Sequence, residues 1–156
     1  MTHPRTAFSI LMADDDADDR LMAQDAFDEV HLANELHFVE DGEALLDYLY
    51  RRGHYATRSA GQEPGLILLD LNMPKKDGRE ALREIKSDPE LRQISIVVLT
   101  TSKAEEDIYS SYDSGASSFI SKPVTFEGLV DVMKGLGRYW FEIVDLPRQH
   151  EQGKWK

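Results

Sequence analysis

Short apolar runs alternate with longer stretches of helical periodicity along the whole chain, and this alternation predicts five βα units around a parallel sheet. Strands are expected at residues 8–13, 35–39, 66–69, 94–99 and 118–120. The runs Leu66-Ile67-Leu68-Leu69 and Ile96-Val97-Val98-Leu99 contain no polar position. A strand with one wet face would alternate, so these two are read as central strands covered by helices on both sides.

Between the strands, residues 18–30 carry Leu21, Met22, Asp25, Ala26 and Phe27 at spacings that leave one apolar face, which predicts a first helix. A second is expected over residues 43–52, with Leu45, Leu46 and Leu49 inward and Gly53 as its stop. Residues 78–86 form the third, closed by Ser87-Asp88-Pro89, because the residue before a proline avoids helical angles. Residues 104–114 form the fourth, ended by Gly115, and residues 125–144 the fifth, with Thr125 as N-cap.

In this last helix Phe126, Leu129, Met133, Trp140 and Val144 fall near the face that covers the sheet, while Val132, Leu136, Tyr139 and Ile143 make a neighbouring stripe. One stripe suffices to bury a helix. The second predicts either a symmetric homodimer through the C-terminal helix region or a tail packed back onto its own helix. Residues 53–64 are polar and read as an extended loop, and residues 147–156 as a flexible C-terminal tail, which leaves one domain over residues 1–146.

Composition narrows the function classes. A 156-residue chain with 41% hydrophobic residues builds one sizeable core. Against 29 Asp+Glu stand 18 Lys+Arg, a net charge of −11, which argues against nucleic acid as a partner because phosphate backbones demand a basic surface. With no cysteine there is no disulfide, thiolate metal site or cysteine nucleophile, and a reducing cytoplasm is the default location. The N-terminal residues lack the apolar core of a signal peptide, and no apolar run approaches the ~20 residues that cross a bilayer.

In a parallel α/β sheet, ligands bind at the carboxyl ends of the strands, where the winding reverses. The first strand ends in Asp14-Asp15-Asp16, the third in Asp70, the fourth in Thr100, and the fifth leads into Lys122-Pro123. Carboxylates crowded together repel, and a divalent cation with hard oxygen ligands relieves them. Mg²⁺ suits such a site, since it typically uses one or two carboxylates together with phosphate oxygens. A carboxylate can then attack a phosphoryl donor, with Thr100 donating to one phosphoryl oxygen and Lys122 supplying a point charge to another.

These residues bear a resemblance. Ile10-Leu11-Met12-Ala13-Asp14-Asp15-Asp16, Leu68-Leu69-Asp70-Leu71-Asn72-Met73-Pro74, Val98-Leu99-Thr100 and Ser121-Lys122-Pro123 resemble the receiver domain of two-component response regulators, over about residues 8–137. The resemblance implies a flavodoxin-like (βα)5 doubly wound sheet with Asp70 as phosphoacceptor. It also implies Asp14, Asp15, Asp70 and the backbone carbonyl of Asn72 as ligands for Mg²⁺, and Thr100 as switch hydroxyl. Lys122 matches the family's lysine before a proline held in cis, and Phe119 stands where the family has an aromatic switch, here without a phenol. The stretch from Leu71 to Glu80, Leu99-Thr100-Thr101-Ser102, the long loop and the C-terminal extension are similar to the small regulators paired with bacterial and cyanobacterial phytochromes. A phytochrome-type sensor histidine kinase is therefore the implied partner. The chain would be a phosphorylated signalling protein rather than an enzyme.

Two other readings compete. Asp14-x-Asp16 after a strand also resembles the opening of haloacid-dehalogenase-type phosphohydrolases, with Asp14 as nucleophile, but that motif wants Thr or Val where Asp18 stands and leaves Asp70 to Pro74 unexplained. A calcium loop is the other, and Asp19 occupies the place where its sharp turn needs glycine. The five histidines show no metal-ligand spacing.

Overall fold

A computed structural model describes residues 9–31, 34–58, 63–101 and 104–138. Over them the chain forms β1 (Ile10–Ala13), α1 (Ala17–Glu29), β2 (Leu36–Val39), α2 (Gly42–Tyr50), β3 (Leu66–Leu69), α3 (Gly78–Ser87), β4 (Ser95–Thr100), α4 (Glu105–Asp113), β5 (Ser118–Ser121) and α5 (Phe126–Leu136). The strands are all parallel, in the order β2-β1-β3-β4-β5. The chain winds outward from β1 to β2, crosses back to β3 and continues to β5, so the flavodoxin-like reversal lies between β1 and β3.

The period of two along each central strand sorts side chains between two cores. Ile10, Met12, Leu66, Leu68, Val97 and Leu99 point to the face covered by α1 and α5. Leu11, Ala13, Ile67, Leu69, Ile96 and Val98 point to the other, against Leu45, Leu46 and Leu49 of α2 and Ala81, Leu82 and Ile85 of α3. Both apolar runs identified in the sequence are buried throughout.

Short acidic residues start three of the helices. Asp16 accepts from the backbone N–H groups of Asp18 and Asp19, Asp41 from that of Ala44, and Asp77 from that of Arg79. The Thr125 hydroxyl caps α5 through Gly128, as expected.

Several details differ from the sequence reading. Leu21, expected on the buried face of α1, is 63% exposed, and Ala23 takes its place beside Ala26 and Phe27. Alanine carries a weak hydrophobic signal, yet it lets the helix approach the sheet closely. Helix α2 stops at Arg51, which adopts a left-handed conformation before Gly53 is reached. The loop after it contains a single 3-10 turn at Gly53–Tyr55, and Arg58 folds back over the Tyr48 ring and donates to the Tyr48 carbonyl. In α5, Phe126 is partly exposed whereas Leu136, placed in the second stripe, is buried against the sheet together with Leu129, Val130 and Met133. Trp140, Val144, Tyr139, Ile143 and the boundary at residue 147 lie outside the described residues.

Candidate functional site

The reversal between β1 and β3 brings the expected strand ends side by side. Ladder bonds continue one residue past the strands: Asp70 N–H donates to the Ala13 carbonyl, Asp14 N–H to Val39, and Lys122 N–H to Thr100. The chemistry-bearing residues are thus fixed by the sheet itself rather than by mobile loop.

Asp70 sits at the centre, buried. Its Oδ1 accepts from the Thr100 hydroxyl at 2.7 Å and from the Asn72 N–H at 3.1 Å. Its Oδ2 accepts from Lys122 Nζ at 3.1 Å. Lys122 also donates to Asp14 Oδ2 at 2.7 Å and to Asp19 Oδ2 at 3.0 Å. Asp14 is fully buried, and its other oxygen accepts from the Asp16 N–H. Asp15 is exposed, and oxygens of Asp14, Asp15 and Asp70 lie within 4.8 Å of one another, the one such acidic cluster among the described residues.

Three carboxylates share one ammonium, and the two ends of this network respond differently. Burial pushes the Asp14 carboxyl above its ordinary range, against the opposing pull of Lys122 and the Asp16 N–H. Burial would depress Lys122, but the hydrogen bonds to Asp14 and Asp19 and the charge of Asp70 outweigh it and hold the ammonium well above its ordinary value. Lys122 is therefore a permanent cation, and the pocket around it keeps an excess of negative charge. That donor set, all hard oxygen and surplus in charge, fits a small divalent cation.

The other expected residues take distinct places. Asn72 is exposed, and its side-chain oxygen lies 3.4 Å from an Arg79 nitrogen. Phe119 is half-buried against the core, and its N–H donates to the Tyr112 hydroxyl on α4. The Lys122–Pro123 peptide, expected in cis, is trans; trans is the lower-energy isomer of an X–Pro bond, and Lys122 reaches all three carboxylates from it.

Three contacts lay beyond the sequence reading. Asp19 was only part of an acidic run. Arg20 donates to the Asp14 carbonyl at 2.7 Å and pins the β1–α1 turn. Arg79 makes a two-bond fork to Asp107 on α4, at 2.7 and 2.6 Å, while also touching Asp77. Gly78 shows why the loop after Asp70 packs so closely, since a Cβ there would lie 2.2 Å from the Asp70 carbonyl oxygen.

A sequence model of the family described as "Response regulator receiver domain" matches residues 10–134. Response regulator Rcp1 of Synechocystis sp. is 38% identical over 138 residues, 88% of this chain and 92% of that protein. The probable methanogenesis regulatory protein FilR2 of Methanothrix harundinacea is 36% identical over 133 residues, 85% of this chain and 83% of its own. The crystal structure of Mn(2+)-bound Rcp1 aligns with a TM-score of 0.81 over 90% of this chain and 99% of that one. The phosphorylated cyanobacterial phytochrome response regulator RcpA aligns with a TM-score of 0.83 at 41% identity, covering 91% and 99%.

Proposed function

This chain belongs to the response regulator receiver family, and from that premise we propose that it takes a phosphoryl group on Asp70 from a sensor histidine kinase of the phytochrome type. One observation carries this reading. Asp70 has a hydroxyl on one carboxylate oxygen and an ammonium on the other, drawn from two different strand ends. That is the donor set an acyl phosphate needs once its phosphoryl oxygens replace the free carboxylate.

A divalent cation, taken as Mg²⁺, would be held by Asp14, Asp15, Asp70 and the Asn72 carbonyl, and would supply positive charge against which a phosphate dianion can approach. That Rcp1 has a Mn(2+)-bound form supports divalent-cation binding by this chain. In the transfer, an Asp70 oxygen forms a bond to phosphorus as the bond to the donor nitrogen breaks. The electron pair leaves with the donor imidazole, which gains a proton. Thr100 and Lys122 then turn from the carboxylate to the phosphoryl oxygens, and Phe119 follows inward. The change is read at the face of α4, β5 and α5 as a shift between pre-existing states.

In this reading the protein modifies its own carboxylate, works in the cytoplasm and signals by protein contacts. No helix among the described residues is long and apolar enough to cross a membrane. The homodimer proposal is narrower than the helix pattern first implied, because Leu136 and, in part, Val132 are used inside the same chain. It rests on Tyr139 and Ile143, and sedimentation with and without a phosphoryl analogue tests it: a monomer in both conditions at micromolar concentration removes it.

A phosphohydrolase using Asp14 is not supported, since the family match and the relatives are response regulators. Incubation with acetyl phosphate and Mg²⁺ separates the two. We expect a mass gain of one phosphoryl group that is lost in Asp70→Asn; multiple turnover that survives Asp70→Asn and dies in Asp14→Asn would reverse the assignment.

A further inference from the structure

Asp19 stands outside every role given so far. It lies in the first turn of α1, half-buried, with its backbone N–H held by the Asp16 carboxylate at 3.2 Å. An ammonium has three N–H donors. On Lys122 all three meet carboxylates, Asp14 at 2.7 Å, Asp19 at 3.0 Å and Asp70 at 3.1 Å.

Two of these acceptors are mounted alike. Asp14 and Asp19 belong to the β1–α1 segment, which the Asp16 cap and the Arg20 bond to the Asp14 carbonyl make rigid. Lys122 comes from the far side of the pocket, beyond β5, on a flexible four-carbon stem. A lysine engaging one acceptor must give up most of its rotamer freedom at the moment it does so. Two fixed anchors take that freedom away beforehand and leave the third donor aimed at Asp70.

We propose that Asp19 is a positioning residue for phosphoryl transfer, clamping the Lys122 ammonium over Asp70 together with Asp14. The proposal rests on Asp70 being the acceptor. An ordinary surface ion pair is a poor description, because the Lys122 side chain is only 10% exposed.

The test compares Asp19→Ala and Asp19→Asn with Asp18→Ala, which removes an equal charge from the same helical turn at an exposed position. The first readout needs no phosphodonor: the NMR signal of the Lys122 ammonium, whose exchange with water is slow while it is clamped. The second is the initial rate of Asp70 phosphorylation by acetyl phosphate at saturating Mg²⁺. Asp19→Ala is expected to lose the slow-exchanging ammonium and to slow phosphorylation on the order of tenfold, the scale of one charge-assisted hydrogen bond. Asp19→Asn should fall between, since its amide oxygen still accepts, and Asp18→Ala should match the unsubstituted protein in both.

An unchanged ammonium signal in Asp19→Ala overturns the clamp. So does a phosphorylation rate at or above the unsubstituted one, which would make Asp19 a competitor for Lys122 instead. If the unsubstituted protein takes up no phosphoryl group, the reading of Asp70 fails, while the ammonium signal still decides whether Asp19 holds Lys122.

Discussion

Asp14 and Asp15 carry the same group in opposite surroundings, one fully buried and bound to Lys122, the other exposed. Asp15→Asn removes a repelling charge without taking an acceptor from Lys122, so in metal-free buffer it should change stability by no more than about 0.5 kcal/mol. At a hundred times its dissociation constant, Mg²⁺ should stabilise the unsubstituted protein by about 2.7 kcal/mol, and Asp15→Asn should lose most of that gain. Thermal unfolding with and without MgCl₂ measures both, and an equal gain in the variant would remove Asp15 from the ligand set. Thr100→Val keeps the side-chain shape and deletes the hydroxyl on Asp70 Oδ1, which should cost about 1–2 kcal/mol in urea unfolding. Asp70, Thr100 and Lys122 were legible in the sequence because strand ends announce themselves. Asp19 and the Arg79–Asp107 fork were not, since they depend on the angular position of a side chain on a helix and on a partner far away in the chain.

At the scale of elements, α2 and α3 are tied at one end by the Tyr50 hydroxyl donating to Asp88, the residue that ends α3. That bond pushes the Tyr50 phenol from its ordinary 10.0 up to about 12 and draws the Asp88 carboxyl down. The phenol's contribution to stability is full below pH 10 and is lost as pH rises toward 12; the carboxylate's is full above its ordinary 3.8 and is lost as pH falls below that. The stability difference between the unsubstituted protein and Tyr50→Phe should therefore be constant near neutrality and shrink toward both extremes, and a difference independent of pH would show that the bond contributes nothing. On α5, Leu136→Ala should cost about 2–4 kcal/mol, while Val124→Ala, just before the helix at a position 94% exposed, should be near neutral. The sequence misplaced Leu136 for a physical reason. Leu136 was assigned to a second stripe, yet seven residues on from Leu129 it returns to within about 20° of it around the helix and shares the same buried face.

For the whole molecule, alternation predicted five βα units around a parallel sheet, the resemblance implied the doubly wound arrangement, and the structure supplies the order β2-β1-β3-β4-β5. The functional pocket followed from that order, at the one reversal. What periodicity could not give was the electrostatic balance inside it: one buried ammonium among more carboxylates than it can neutralise, in a chain of net charge −11. That imbalance is what a divalent cation and a phosphoryl group would resolve, and the central claim is that the phosphoryl group is carried by Asp70. Borohydride reduces an aspartyl phosphate to homoserine and leaves a free carboxylate untouched, so reduction after acetyl phosphate treatment, followed by peptide mass spectrometry, marks the acceptor directly. Homoserine at position 70 is the predicted result; homoserine at position 14 or 15, or unmodified Asp70 in a protein that has gained phosphate, would contradict it.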